Sequence, residues 1–187
     1  MKLNLACGNS KIAGCINVDI ESSVRPNVIA NIKEWLPFKD ELFDEIYLFH
    51  TIEHIEKSYH QLVLGGIRRV LKSNGIFYIS YPEFSEISKR WLENTHGKRE
   101  FWEATIYGRQ HYKADYHVCA IDSTEFLQTM LLCGFRNITR KAEPFPNNFN
   151  SVMKAYKGVP FVSYESVLLN DIFPETKVDT SRHSNAN

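Results

Sequence analysis

Short apolar runs that end in turn formers or polar residues set the rhythm of the first half of the chain. Lys2-Leu3-Asn4-Leu5-Ala6 reads as a strand running into the turn formers Cys7-Gly8-Asn9-Ser10. A second strand is predicted over Cys15 to Ile20, with Asp19 near its end, and a third over Val28 to Ile32, ahead of a loop containing Leu36-Pro37-Phe38. Phe43 to Phe49 makes a fourth, acidic at its start and apolar at its end. From Ser58 to Lys72 the period becomes helical. Leu62, Ile67, Val70 and Leu71 share one stripe, and Arg68, Arg69 and Lys72 lie near the carboxyl end, where the helix dipole favours cations. Gly75 stops this helix, and Ile76 to Tyr81 reads as a buried strand reaching Pro82.

The second half is less regular. Glu83 to Asn94 and Lys98 to Tyr107 are helix candidates, followed by a polar stretch from Gly108 to Val118. A helix over Ser123 to Cys133 is signalled by the capping-box spacing of Asp122 and Glu125 and by Gly134 at its end. Phe135 to Arg140 and Pro160 to Leu169 read as a closing strand pair. Residues 171–187 are polar and read as a tail beyond a single domain of residues 1–170. Strands alternating with helices over short connections indicate an α/β fold, a Rossmann-like doubly wound sheet, mostly parallel with an antiparallel last strand. Ligands then bind beyond the carboxyl ends of the strands, where strand order reverses, and this chain puts Gly8, Asp19, Asn31 and His50 there.

Composition narrows the function classes. The 187 residues are 43% hydrophobic and 24% charged, with 22 Lys and Arg against 22 Asp and Glu. A balanced charge argues against a dedicated nucleic-acid binder. No apolar run has the length of a membrane span and the amino terminus has no signal-peptide pattern, so a cytoplasmic protein is expected. Cys7, Cys15, Cys119 and Cys133 form no Cys-x-x-Cys pair, which removes zinc-ribbon and thioredoxin-type readings and leaves reduced, buried thiols.

The turn at Gly8 suits a close approach of backbone to ligand, and a carboxylate at Asp19 can accept hydrogen bonds from both hydroxyls of a ribose. Their offset of eleven positions is too short for the roughly 20-residue interval of the dinucleotide fingerprint, so NAD is disfavoured. The segments LNLACG, INVDI, LPFKDELFDEIYLFHTIEHI and RRVLKSNGIFYISYPE, in that order, resemble the class I S-adenosylmethionine-dependent methyltransferases, in particular a compact bacterial and phage-type branch. Tyr107-Gly108-Arg109-Gln110, His117 and Leu132-Cys133-Gly134-Phe135 extend the likeness to about residue 140.

The resemblance implies a cofactor site for S-adenosylmethionine built of Asn4, Ala6, Cys7 and Gly8, with Asp19 on the ribose, Asn31 on the adenine edge and His50 lining the site after the fourth strand. It also implies methylation of a small or medium acceptor, such as a sugar or nucleotide-sugar hydroxyl, with a small-molecule or glycan-type partner. Three positions depart from the pattern. Ala6 replaces a glycine and requires a negative φ to be tolerated. Asn31 replaces an acid. Ser73-Asn74 replaces Pro-Gly, and Asn74 can take the left-handed conformation.

A sulfonium donor is already activated, so the protein has to align the acceptor, exclude water and receive a proton; no metal is required in principle. Histidine suits the proton transfer, with His117 the first candidate and His111 the second. Glu53 and His54 are expected to orient the loop after the fourth strand, and Tyr107, Tyr112 and Tyr116 to shape an acceptor pocket. Two competing readings remain: a methyltransferase-like cofactor binder without catalysis, and a zinc hydrolase using His50-Thr51-Ile52-Glu53-His54, whose wording needs a helix where a strand is predicted to run into His50.

Overall fold

The computed structural model describes residues 1–93, 99–111, 115–142 and 150–158. Seven strands form one sheet: β1 (Lys2–Leu5), β2 (Cys15–Asp19), β3 (Val28–Ile29), β4 (Phe43–Phe49), β5 (Leu71–Pro82), β6 (Phe135–Ala142) and β7 (Asn150–Lys157). Their spatial order is β3-β2-β1-β4-β5-β7-β6. β7 pairs antiparallel with both β5 and β6, and β1 to β5 pair in parallel. Strand order reverses between β1 and β4, so the Gly8 turn and His50 flank the crevice where a ligand is expected.

The register sorts the side chains into two faces. Leu3, Leu5, Val18, Ile46, Leu48, Phe77, Ile79, Met153 and Ala155 are buried on one face, against α1 (Lys57–Val70) and α4 (Ser123–Leu132). Each such fully buried aliphatic or aromatic side chain contributes about 1.5–3 kcal/mol. The other face carries Lys2, Glu45, Tyr47, Tyr78, Lys154 and Tyr156, all at least partly exposed, with Tyr47 and Tyr78 stacked at 5.2 Å. Period-2 alternation between apolar and polar neighbours is the signature of a sheet solvated on one side.

The connections from β1 through β4 contain no α-helix, only loops and one short 3-10 turn, Ser22–Val24. Residues 6–14 are too short for the helical crossover that usually joins parallel strands. An asparagine ladder holds this loop instead. The buried Asn17 side chain accepts from the Asn4 amide and from Ile12 N–H, both at 2.9 Å, and donates to Ile12 O, Cys15 O and Asn27 Oδ1. Asn4 is therefore a brace beneath the turn, with its amide also on Ser10 O at 3.1 Å.

Several sequence expectations shift. α1 buries His60, Val63, Leu64, Ile67 and Val70, while Leu62 faces solvent, because the polar His60 occupies the first position of the seam and disguises its phase. Leu71 already belongs to β5. α2 (Phe84–Leu92) and α3 (Arg99–Tyr107) follow at the expected places. Asp122 caps α4 by accepting from Thr124 N and Glu125 N. β6 pairs with Asn150–Lys157, a strand the sequence does not announce: the buried positions there are filled by Ser151, Met153 and Ala155, whose small members weaken the apolar alternation. Pro160–Leu169, residues 171–187 and Tyr112 lie outside the described residues. Among the described residues no helix is long and apolar enough to cross a membrane.

Candidate functional site

At the tip of β1 the chain turns sharply through two left-handed residues, Ala6 at φ 48° and Gly8 at φ 47°. The expectation that Ala6 keeps a negative φ is overturned. The turn needs the conformation glycine favours, and alanine holds it at about 1–2 kcal/mol of strain. Asn74 takes the left-handed conformation as expected, at φ 63°. Open space surrounds the position a Cβ on Gly8 would take.

Asp19, 8% exposed at the end of β2, faces this turn: Oδ2 accepts from Gly8 N at 2.7 Å and Oδ1 from Glu21 N at 2.9 Å. A carboxylate has about four acceptor sites, so each oxygen keeps one for a further donor. Cys7 is buried beneath the turn, its thiol pushed up by burial and then by the neighbouring Asp19 charge. Asn31 lies just past β3, where its amide oxygen accepts from Lys33 N and its amide nitrogen donates to Glu34, both at 3.0 Å. That closes an Asx turn and leaves one lone pair for an adenine amine.

Across the crevice, β4 ends at Phe49, and His50 turns the chain at φ 48° while its N–H donates to Ser80 O at 2.9 Å. Ile52–His54 forms a single 3-10 turn. The five residues from His50 to His54 therefore have no continuous helix to align two histidines one turn apart, and the zinc-protease arrangement is absent. The turn receives another segment instead. Val118 N and Cys119 N donate to Glu53 O, and His54 Nδ1 bonds Tyr116 O at 2.9 Å. Gly108 makes this return possible: at φ 80° its absent Cβ would lie 1.8 Å from Asp115 O.

The result is a cluster of Glu53, His54 and His117, with their coordinating atoms all within 4.8 Å of one another. His50 Nδ1 lies 3.7 Å from Glu53 Oε1 at its rim. Burial holds His117 below the usual histidine range, opposed by the Glu53 carboxylate. His111 is exposed, with its backbone N–H on Asp115, so of the two proton-transfer candidates only His117 is drawn into the cluster. Glu53 and His54 hold the loop as expected, and Tyr107 and Tyr116 are exposed on the same segment.

A second buried glutamate shows what a purely structural carboxylate looks like here. Glu83 accepts from Ser85 Oγ at 2.9 Å, Ser123 N at 3.1 Å, Ser151 Oγ at 2.8 Å and also Ser123 Oγ, tying β5 to α4 and β7. Glu53, 2% exposed, leaves Oε2 without a hydrogen-bond partner. A groove of about 300 Å³ between α1 and α4 contains none of the expected site residues.

Sequence reasoning missed Asn17, Gly108 and the meeting of Glu53 with His117. The asparagines at 4, 17 and 27 were the available signal for the first; nothing local signals the last.

Residues 3–79 match the family model described as a methyltransferase domain. No curated protein matches the sequence. Among solved structures, a methyltransferase of Thermotoga maritima described as a possible histamine N-methyltransferase superposes with a TM-score of 0.56 at 16% identity, covering 83% of this chain and 81% of that one. A Pyrococcus horikoshii protein gives 0.60 at 21% identity, covering 84% and 81%. The Burkholderia thailandensis 1,6-didemethyltoxoflavin-N1-methyltransferase, solved with its substrate and S-adenosylhomocysteine, gives 0.57 at 16% identity, covering 84% and 71%. At these identities the likeness is one of fold, and the fold is the one the sequence resemblance implied.

Proposed function

We propose, for a chain with a methyltransferase domain over residues 3–79 and a class I methyltransferase sheet, that it binds S-adenosylmethionine and methylates a small hydroxyl-bearing acceptor. The observation that carries this reading is the Gly8–Asp19 contact at the reversal of strand order. The residues fit the cofactor. The left-handed turn bares backbone beside open space, and the Asp19 oxygens retain acceptor capacity for the two ribose hydroxyls. When bound, the cofactor supplies a sulfonium methyl whose C–S bond breaks as a C–O bond forms, the electron pair passing to sulfur and the hydroxyl proton leaving.

The chain's own residues do the rest. The β1 turn positions the methionine end, Asp19 the ribose, and Asn31 the adenine edge through its remaining lone pair. Glu53, His54 and His117 cluster just past β4, and the acceptor oxygen would lose its proton there. Side chains rich in acceptors, bordered by Tyr107 and Tyr116, suit a sugar or nucleotide-sugar. Four free cysteines fit a reducing cytoplasm.

Calorimetry tests the reading. Asp19→Ala should weaken S-adenosylmethionine binding at least about 100-fold, because two charge-assisted hydrogen bonds of about 1.5–3 kcal/mol each disappear. Asp19→Asn, which keeps the shape, separates lost affinity from lost fold. Binding within a few-fold of wild type in both variants removes Asp19 from the ribose. Tight binding with no transfer to any sugar or nucleotide-sugar hydroxyl supports the non-catalytic reading, which the strained Ala6 turn favours.

A further inference from the structure

One carboxylate and two imidazoles meet beyond β4. Glu53 is 2% exposed, with one carboxylate oxygen that no hydrogen bond satisfies. A buried, unsatisfied carboxylate oxygen costs at least about 1–3 kcal/mol, and Glu83 shows that this fold can saturate a buried glutamate with serine and backbone donors. Nothing comparable is supplied at Glu53.

His54 cannot supply it as it stands. His54 is bonded through Nδ1 to a backbone carbonyl, which can only accept, so its proton sits there and Nε2 presents a lone pair. His117 offers a ring nitrogen to the same cluster, its ring edge-on to that of His54 with centroids 4.8 Å apart. An imidazole with one nitrogen anchored on a carbonyl and the other turned toward a carboxylate is the arrangement that orients metal-binding histidines.

We infer that Glu53, His54 and His117 bind one divalent metal ion, with His50 at the rim of the site and the remaining coordination positions open to the acceptor's oxygens. This deepens the methyltransferase reading and rests on it for the acceptor. Two imidazoles and one carboxylate select first-row transition ions, from manganese to zinc, over magnesium or calcium, which prefer all-oxygen shells. Three protein ligands with an open position make a catalytic rather than a structural site. A hydroxyl coordinated there has its pKa lowered, so its proton passes to bulk water while its oxygen stays aligned in the crevice. The zinc-hydrolase wording of residues 50–54 thus contains two of the ligands, but the third comes from the segment that Gly108 lets return.

The test uses the full chain, stripped of metal with chelator and titrated with Co2+ by visible absorption and with Zn2+ by calorimetry, alongside S-adenosylmethionine binding. One equivalent of Co2+ per chain, with d–d bands that Zn2+ displaces, is expected. Glu53→Gln and His117→Ala should each weaken that binding at least 100-fold while S-adenosylmethionine affinity stays within a few-fold, which also reports that both variants fold. Absence of stoichiometric binding overturns the inference, as does binding that both variants retain, or Mg2+ binding tighter than Co2+. Wild-type protein that binds Co2+ but not S-adenosylmethionine overturns the methyltransferase reading instead.

Discussion

The two sides of the crevice are built by different means. On the β1–β2 side, binding geometry is a backbone conformation: a left-handed turn closed by one carboxylate, braced underneath by an asparagine ladder, with nearly every polar group satisfied. On the β4 side the geometry consists of side chains from two distant segments, and a buried carboxylate oxygen has no partner. A satisfied site is ready to hold a ligand by its shape. An unsatisfied one is completed by what it binds, and the proposed metal and acceptor would lie there. Substitutions at three positions break or sharpen this contrast.

Gly108→Ala carries the largest expected effect and falls on the β4 side alone. Its Cβ would meet Asp115 O at 1.8 Å and His117 N at 2.9 Å, in a backbone conformation that alanine resists. The return segment must then move, and His117 with it. Displacing an aligned group by about 1 Å costs about 100-fold in rate. Steady-state turnover should drop by that much with S-adenosylmethionine affinity unchanged. A fall in both together would mean that the two sides are one cooperative unit.

The same contrast explains what could be read from the chain beforehand. Gly8, Asp19 and the strands bearing them lie close together in sequence, so motif and spacing located them. Asn74 could be assigned a left-handed turn because asparagine tolerates that conformation. Ala6 was misjudged because the residue type argued against the very conformation that the turn demands. The β4 side was legible only as separate fragments: His50 to His54 resembled a helix-borne zinc motif, and His117 a lone histidine. Only the tertiary path through α2 and α3 brings Glu53 to His117, and period and propensity contain no information about that path. The strand Asn150–Lys157 escaped notice for a different reason, since Ser151 and Ala155 occupy buried positions without looking apolar enough to mark them.

Asn17→Ala attacks the β1–β2 side and should register in stability first. It strands one N–H of the buried Asn4 amide, whose other stays on Ser10 O, and the Ile12 N–H, each now bonded to Asn17 Oδ1 at 2.9 Å. Leaving such groups unsatisfied costs about 2 kcal/mol. The chemical-denaturation midpoint should fall accordingly, and S-adenosylmethionine affinity with it, because the loop of residues 6–14 loses its anchor. Co2+ binding at the β4 side should persist in the folded variant. Unchanged stability would show that the ladder is incidental and that backbone bonds such as Cys7 N to Val18 O hold the loop unaided.

Ala6→Gly is the smallest change and the most discriminating about strain. At φ 48° the alanine stores about 1–2 kcal/mol, which glycine releases, while glycine's extra freedom in the unfolded chain takes back about 0.4–1 kcal/mol. The net is a gain of about 0.5 kcal/mol, or a rise in Tm of roughly 1–2 °C for a chain of this size. Ala6→Val must go the other way by more than about 1 kcal/mol, since a β-branched side chain is least compatible with positive φ. The two shifts have opposite signs only if the turn is truly left-handed in solution. If both substitutions destabilise, the Gly8 corner takes another shape, and the ready-made half of the crevice is not ready-made.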